Sequence, residues 1–395
     1  MMSSYKLTKI AVLFGLLLCC FSIAWAKAEQ TKSTEIIVGA EQPLHYLPLL
    51  KNKRVGLIVN QTSKVRQQHL VDYLLNKGVK VKVIFAPEHG FRGDHDAGEK
   101  VASGLDSQTG VKVYSIYGKH KKPSSEILKE VDVLLFDIQD VGVRYYTYIS
   151  SMHYMMAAAA SNNIPFIVLD RPNPNGAYVD GPILNTEFQS FVGMHEIPLL
   201  HGMTVGELAL MINGERWIEK QADLSVIPVK NYQREMSYSL PVKPSPNLPN
   251  DASIAHYASL GFFESTPVSI GRGTDFPFQV IGFDKYSIGE FSFTPRSIKG
   301  AASAPKLNGI KAKGQDLREI TSSGLDLSYL IAWHSLFKQH KQVFFTRAAF
   351  MDKLAGTDQL RKQIQSGLSE DEIRNSWQQG LGNFRKQRQP YLLYF

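Results

Sequence analysis

The stretch RVGLIVN, residues Arg54–Asn60, determines the fold that this sequence predicts. It is short, apolar and rich in β-branched residues, and it ends in a polar residue, which is typical of a buried strand. A helix is predicted over His69–Lys77, because Gly78 follows at the position where helices commonly end. A second strand, Val79–Phe85, comes directly after it. The stretch therefore begins a parallel strand-helix-strand unit.

The same alternation continues along the chain. Further strands are predicted over Val111–Tyr117, Val131–Asp137 and Pro165–Asp170, and a helix over Tyr146–Asn162 separates the last two. Apolar strands that alternate with helices predict an α/β fold with a doubly wound parallel sheet, covered by helices on both faces. We assign this domain to residues 54–254, after a lead-in over residues 27–53.

The composition of the sequence changes after a proline-rich connector, Val242–Asn250. From about Ala255 the apolar runs become shorter and richer in Gly, Phe and Ser. This change predicts a second, smaller domain of α+β character over residues 255–395. Its helices are predicted near Asp326–Gln339, Arg347–Leu354 and Ser369–Arg388.

The N-terminus has the composition of an export signal. Lys6 and Lys9 precede an apolar run, Ile10–Ile23, which is followed by Ala24-Trp25-Ala26. This pattern predicts a signal peptide over residues 1–26 and a periplasmic or secreted protein. The alternatives are a membrane anchor, for which the run is short, and lipid modification of a cysteine within it. No later stretch is long and apolar enough to predict a membrane span.

Charge and motifs exclude several classes of function. Removal of the two N-terminal lysines lowers the formal net charge from +8 to +6, and the remaining Lys and Arg are scattered, so nucleic-acid binding is not indicated. The first strand runs into Asn60-Gln61-Thr62-Ser63-Lys64, which lacks the glycines of a nucleotide-binding loop. The chain also lacks the G-x-S-x-G motif of serine esterases. No cofactor is predicted.

Four of the predicted strands end in residues with functional groups, namely Asn60, Glu88, Asp137 and Asp170. In doubly wound sheets, ligands bind beyond the carboxyl ends of the strands. We therefore expect the functional site to lie at this edge of the sheet.

The segment EHGFRGDHDAGE, residues Glu88–Glu99, is the densest polar stretch of the chain. In one interpretation Glu88 is a catalytic carboxyl group, with a pKa adjusted by burial and by neighbours such as His89 and Arg92. In another, a metal ion is bound by His89, Asp94, His95 and Asp96, although their spacing matches no recognised ligand motif. The third is an ordered surface loop with internal ion pairs.

Two later strand ends carry residues of the kind that sugar sites use, since planar polar groups bind hydroxyls and aromatic faces pack against the ring. Candidates from the segment Asp137–Tyr148 are Asp137, Gln139, Asp140, Arg144 and Tyr146, and those from the segment Asp170–Gly176 are Asp170, Arg171 and Asn173. The structural alternative is that Asp137 caps the following helix, that the tyrosines belong to the core and that Asp170 and Arg171 only stabilise a turn.

At these positions the sequence resembles the NamZ-type exo-β-N-acetylmuramidases. The resemblance is carried by Ala86–Gly93, Asp137–Gly142, Leu169–Pro174, Ser190–His195, His201–Glu207, Pro244–Pro249 and Ser269–Thr274, and it extends from about Arg54 to Tyr394. It implies a Rossmann-like N-terminal domain and a smaller C-terminal domain. The implied activity is release of terminal N-acetylmuramic acid (MurNAc) from the non-reducing ends of peptidoglycan fragments, with Glu88 as the catalytic glutamate.

Glycoside hydrolysis gives each candidate a role. We predict that Glu88 is the acid/base, and that Asp137 or Asp140, or the 2-acetamido group of the substrate, supports the anomeric centre. The lactyl carboxylate of MurNAc calls for a cation, for which we favour Arg272 between two glycines. Its rivals are Arg92, Arg144 and Arg171, and Asn60, His195 and His201 are further candidates for the pocket.

Two other functions are compatible with the same sequence. One is a non-catalytic envelope protein that binds muropeptides, and the other is a metal-dependent hydrolase that uses the loop after Glu88.

Overall fold

Strand β1 (Arg54–Val59) is the central strand of a seven-stranded sheet in the computed structural model, which describes residues 35–88, 90–92, 103–118, 121–320 and 324–395. The remaining strands are β2 (Lys64–Val65), β3 (Gln68–His69), β4 (Lys80–Ala86), β5 (Gly104–Leu105), β6 (Lys112–Ser115), β7 (Val133–Asp137), β8 (Phe166–Leu169), β9 (Leu224–Ile227), β10 (Val280–Phe283), β11 (Phe291–Phe293) and β12 (Ala312–Asp316).

The sheet has the strand order β5-β6-β4-β1-β7-β8-β9. Every pairing in it is parallel except that of the edge strand β5 with β6. The chain thus builds the sheet from β1 outward, first to β4 and β6 and then to β7, β8 and β9 on the other side. This order confirms the predicted doubly wound α/β fold.

The helices are α1 (Pro43–Leu50), α2 (Leu70–Asn76), α3 (Ser125–Leu128), α4 (Tyr148–Ser161), α5 (Val205–Gly214), α6 (Asp251–Leu260), α7 (Ser328–Gln339), α8 (Ala348–Ala355), α9 (Gln359–Ser366) and α10 (Glu370–Arg388). Helix α5 begins at Thr204, whose side chain accepts a hydrogen bond from the amide of Glu207 while the Glu207 carboxylate accepts one from the Thr204 amide. Such a reciprocal pair, a capping box, satisfies two backbone groups at the start of a helix.

Both faces of the sheet are buried, which explains the continuous apolar run in β1. Val55, Leu57 and Val59 face a core that includes residues of α1 and α2. Ile58 faces a larger core that extends without interruption to Trp333 and to other residues of the C-terminal helices. The residues from Ile37 to Phe395 accordingly form one compact unit.

The C-terminal part adds a small antiparallel sheet of order β10-β12-β11 and helices packed near it. Helix α6 was not predicted. It begins after Asn250, which forms a capping box with Ser253, and it spans the predicted domain boundary at residue 254. Within the described residues, no helix has the length and apolar composition needed to cross a bilayer.

Candidate active site

A cavity of about 580 Å³ lies where the chain leaves β4, β6 and β7. Its charged lining residues are Glu88, Glu264, Arg272 and Arg347, and most of the others are aromatic or polar. Residues that are far apart in sequence therefore enclose one space at the carboxyl ends of the parallel strands, where a doubly wound sheet is expected to carry its site.

Glu88 is held in the cavity wall by the register of two strands. Ala86 of β4 lies opposite Ser115 of β6, so Glu88 and Tyr117 each follow two residues beyond this pair. The Tyr117 hydroxyl donates a hydrogen bond to Glu88 Oε1 over 2.9 Å. Burial and the nearby charge of Glu88 raise the pKa of Tyr117 well above its usual range, so the phenol stays protonated and remains a donor.

The second oxygen of Glu88 is bound by the residue that precedes α4. Thr147 donates from Oγ1 to Glu88 Oε2 over 3.1 Å. Although Thr147 occupies the N-cap position, its side chain makes no capping hydrogen bond to the helix. A hydroxyl that commonly stabilises a helix start is directed at the carboxylate instead. Both oxygens of Glu88 are thus oriented by hydroxyl donors.

Packed aromatic rings form the apolar wall of the cavity. Tyr146 contacts Tyr148 and Tyr257 edge to face, with ring centroids 4.9 and 5.8 Å apart, and Tyr257 contacts Phe278 in the same way at 5.0 Å. The Tyr146 hydroxyl donates to the Pro244 carbonyl oxygen over 2.7 Å. Rings fixed in this way offer a rigid surface for the apolar face of a sugar.

Arg272 enters the cavity from a tight turn. Gly271 and Gly273 both have positive φ angles, 79° and 81°, and a Cβ atom on them would lie 2.6 and 2.5 Å from the carbonyl oxygens of Phe276 and Arg296. No other residue type fits this turn without strain. The Arg272 guanidinium donates from Nε to Glu264 Oε1 over 2.7 Å, so its positive charge is partly neutralised by this carboxylate.

This ion pair keeps Glu264 ionised. Burial alone would raise the pKa of Glu264, but the charges of Arg272 and Lys306 and the hydrogen bond from Arg272 outweigh burial and lower it. The cavity therefore holds a carboxylate, Glu264, that is permanently charged at neutral pH.

Asp137 and Asp140, the predicted second carboxylates, do not line this cavity. Both oxygens of Asp137 accept hydrogen bonds from Arg171, over 2.6 and 2.9 Å, and the carboxylate is fully buried. Asp140 Oδ2 accepts a hydrogen bond from the Gly142 amide over 2.7 Å. Burial raises the pKa of Asp140 to about 7. The structure thus buries both groups, and Arg171, in the protein interior.

The other polar residues predicted at the strand ends mostly bind the backbone. Asn60 Oδ1 accepts from the Thr62 amide, and Gln139 Nε2 donates to the carbonyl oxygens of Asp140 and Pro172. Asn173 Nδ2 donates to the Met203 carbonyl oxygen. These contacts fix the loops that follow β1, β7 and β8.

Asp170 is also buried and internal. It accepts hydrogen bonds from Thr204 Oγ1, from the Gly206 amide and from the Tyr394 hydroxyl. Burial raises its pKa to about 6, although these three donors oppose the shift. Asp170 thereby connects β8 to α5 and to the C-terminus of the chain.

Two of the rival arginines and both histidines lie away from the cavity lining. Arg92 pairs with Asp106 at 2.8 Å, and the buried Arg144 donates to four backbone carbonyl oxygens. His195 stacks on Trp217, and His201 Nδ1 accepts from the Met203 amide. Burial lowers the pKa of both histidines, so they are neutral structural groups at pH 7.

His89 and the residues Asp94, His95 and Asp96 of the alternative metal site lie outside the described residues. Within the described part of the chain, no group of three or more His, Cys, Asp or Glu side chains is arranged to hold a metal ion.

Of the predicted site residues, the structure brings Glu88, Tyr146 and Arg272 together in the cavity. Sequence reasoning missed Tyr117, Glu264 and Arg347. Tyr117 ends a predicted strand next to that of Glu88, so strand adjacency was a usable signal. Glu264 and Arg347 follow no strand and match no motif, and only tertiary packing brings them to the site.

Both parts of the chain match models of one protein family. The family model described as the N-terminal part of the exo-β-N-acetylmuramidase NamZ matches residues 55–252, and the model of its C-terminal part matches residues 255–394. Over 406 aligned residues the chain is 40% identical to the peptidoglycan β-N-acetylmuramidase NamZ of Bacillus subtilis (strain 168), with 97% of each protein covered.

Solved structures agree with this result. Crystal structures of two DUF1343 family proteins from Bacteroides fragilis superpose on the chain with TM-scores of 0.84 and 0.78, at 45% and 31% sequence identity. Each comparison covers 91% of this chain and 99% of the other. With both halves matched in order and nearly the whole length aligned, the chain belongs to the NamZ family of exo-β-N-acetylmuramidases.

Proposed function

We propose that this protein is an exo-acting glycoside hydrolase that releases terminal MurNAc from the non-reducing ends of peptidoglycan fragments. The observation that carries the proposal is the position of Glu88, whose carboxylate is oriented by two hydroxyl donors in the wall of an aromatic cavity. The 40% identity to a peptidoglycan β-N-acetylmuramidase supports the choice of substrate.

Glu88 serves as the general acid/base. The protonated carboxyl group donates its proton to the oxygen of the leaving sugar while the bond to the anomeric carbon breaks, through a transition state that resembles an oxocarbenium ion. A water molecule then forms the new bond to the anomeric carbon and gives its proton to the Glu88 carboxylate, which restores the acid. Hydrogen bonds from Tyr117 and Thr147 hold the carboxyl group in one orientation, which favours proton transfer along a fixed line.

A second group stabilises the positive charge that develops at the anomeric carbon. Glu264 is the other acid among the described lining residues, and its pairing with Arg272 keeps it ionised. We propose it, in place of the interior Asp137 and Asp140, as the negative charge that stabilises the transition state. The 2-acetamido group of the substrate is the alternative, because it can attack the same carbon from within the molecule.

The test is hydrolysis of a chromogenic β-glycoside of MurNAc by the purified protein, with and without a metal chelator. We expect release of the chromophore at the same rate in both samples. Loss of release on chelation would favour the metal-dependent alternative that uses His89, Asp94, His95 and Asp96. Saturable binding of the glycoside without release would favour a muropeptide-binding protein.

We also propose that the chain is exported to the periplasm or beyond, on the basis of the N-terminal pattern of Lys6, Lys9 and the apolar run Ile10–Ile23. N-terminal sequencing of the protein from cell fractions tests this. A chain that begins after Ala26 outside the cytoplasm is the expected result, and an intact chain in the cytoplasm would contradict it.

A further inference from the structure

Four charged residues line the cavity among those that the structure describes, and they are not equivalent. Arg272 and Glu264 form an ion pair at 2.7 Å, with side chains that are 26% and 27% exposed. Glu88 accepts hydrogen bonds from Tyr117 and Thr147. For Arg347, no carboxylate of the described residues lies within ion-pair distance. Of the two arginines among the described lining residues, Arg347 is thus the one that forms no ion pair with a described carboxylate.

The position of Arg347 is fixed although its side chain is exposed. It is the residue before α8, and its amide donates to the Ser265 carbonyl oxygen over 3.0 Å. Its guanidinium lies 4.4 Å from the centre of the Phe350 ring, one turn along the helix. The backbone is therefore anchored to the segment that carries Glu264, while the guanidinium keeps its hydrogen-bond donors available to a ligand.

Arg347 lines the same cavity as Glu264, and its charge acts on neighbouring titratable groups. Burial is the main reason that the pKa of Lys306 falls to about 8, and the charges of Arg272 and Arg347 lower it further. The charge of Arg347 also contributes to the low pKa of Glu264. Because Arg347 and Glu264 line one cavity, a ligand beside Glu264 also lies within the field of Arg347.

We infer that Arg347 binds the lactyl carboxylate of MurNAc and thereby selects MurNAc over sugars that lack this group. The inference rests on the proposed function. A guanidinium presents two parallel N–H donors that match the two oxygens of a carboxylate. Arg272, the residue favoured from sequence, already donates from Nε to Glu264, and binding a ligand carboxylate there would place two negative groups on one cation. Arg347 carries no such competitor among the described residues.

The experiment compares two chromogenic substrates, the β-glycoside of MurNAc and its neutral analogue in which the lactyl carboxylate is an amide. The wild-type protein is expected to prefer the acid in kcat/KM. Arg347→Met should lower kcat/KM for the acid roughly tenfold to a hundredfold more than it lowers kcat/KM for the amide, mainly through KM. Lys353→Ala is the matched control, because it removes one exposed cation from the same helix outside the cavity lining and should leave the preference unchanged.

The outcomes separate this inference from the proposed function. If the wild-type protein hydrolysed neither substrate, both the proposed function and the role of Arg347 would be wrong. Wild-type hydrolysis of acid and amide at equal rates, or an Arg347→Met protein that keeps the full preference, would overturn the role of Arg347 and leave the hydrolase intact. Circular dichroism checks that each variant is folded. Arg347→Gln repeats the measurement with a polar neutral side chain, and the preference must fall in this variant too.

Discussion

The hydroxyl of Tyr117 lies 2.9 Å from Oε1 of Glu88, and this hydrogen bond joins the ends of two neighbouring parallel strands. Each residue stands two positions beyond the last pair in the register of β4 and β6. The acid that we place at the centre of catalysis is therefore oriented by the sheet itself, through a donor that the sheet sets beside it.

Tyr117→Phe removes this donor and keeps the ring. We expect kcat to fall about tenfold, as for the loss of one hydrogen bond to a charged group, while KM changes little. Steady-state kinetics on a chromogenic MurNAc glycoside measures both. In a Glu88→Gln background the same substitution should have almost no further effect, because Tyr117 acts through Glu88. Independent, multiplicative losses in the double variant would show that Tyr117 has another role.

Most of the sheet could be predicted from the sequence because its strands are buried on both faces. The residues of β7 are all buried, and its apolar run was recognised. Strand β9, Leu224–Ile227, was missed because only Ile227 of it is buried, and it has no continuous apolar run. Helix α9 was missed because it is short and polar, with Leu360 and Ile364 as its buried residues.

The candidate site was predictable where it follows the sheet, and not elsewhere. Glu88 was identified because it follows a strand and lies next to glycines. Asp137 is the last residue of β7, but its partner Arg171 follows the neighbouring strand β8, so the two form an ion pair inside the protein. A strand-end position shows which edge a residue lies near. It does not show whether the side chain points to solvent or to an adjacent loop.

Asp137→Asn tests whether this carboxylate is structural. The change leaves the buried guanidinium of Arg171 without its counter-charge, so we expect the free energy of unfolding to fall by about 3–5 kcal/mol. The folded fraction should retain its turnover number. Urea unfolding followed by tryptophan fluorescence gives the stability, and activity measured in the cold gives the turnover.

The matched control is Asp132→Asn, which breaks the ion pair with Arg54, whose side chain is 42% exposed. Its effect on stability should be much smaller, because exposed pairs contribute little. A stable Asp137→Asn protein that has lost its activity would show that Asp137 has a catalytic role.

The raised pKa of Asp140 predicts that the stability of the protein depends on pH. Burial raises its pKa to about 7, whereas an unfolded aspartate titrates near 3.8. Between these values the folded state binds the extra proton, so this residue lowers stability as the pH rises from about 4 to about 7, and the loss is complete above that. Asp140→Asn removes the titration. The thermal unfolding midpoint of the variant should therefore decline less over this interval than that of the wild-type protein. If the unfolding midpoints of the two proteins changed with pH in the same way, the raised pKa of Asp140 would be contradicted.

The role of Glu88 is tested by the rate at which the Glu88→Gln protein releases MurNAc from the non-reducing end of a purified MurNAc-GlcNAc saccharide. Glu196→Gln, an exposed glutamate outside the cavity lining, is the control with the same chemical change. We predict that Glu88→Gln reduces the rate by at least about a hundredfold with an unchanged unfolding midpoint, and that Glu196→Gln behaves as the wild-type protein. A folded Glu88→Gln protein that releases MurNAc at a near-normal rate would show that Glu88 is not the acid/base.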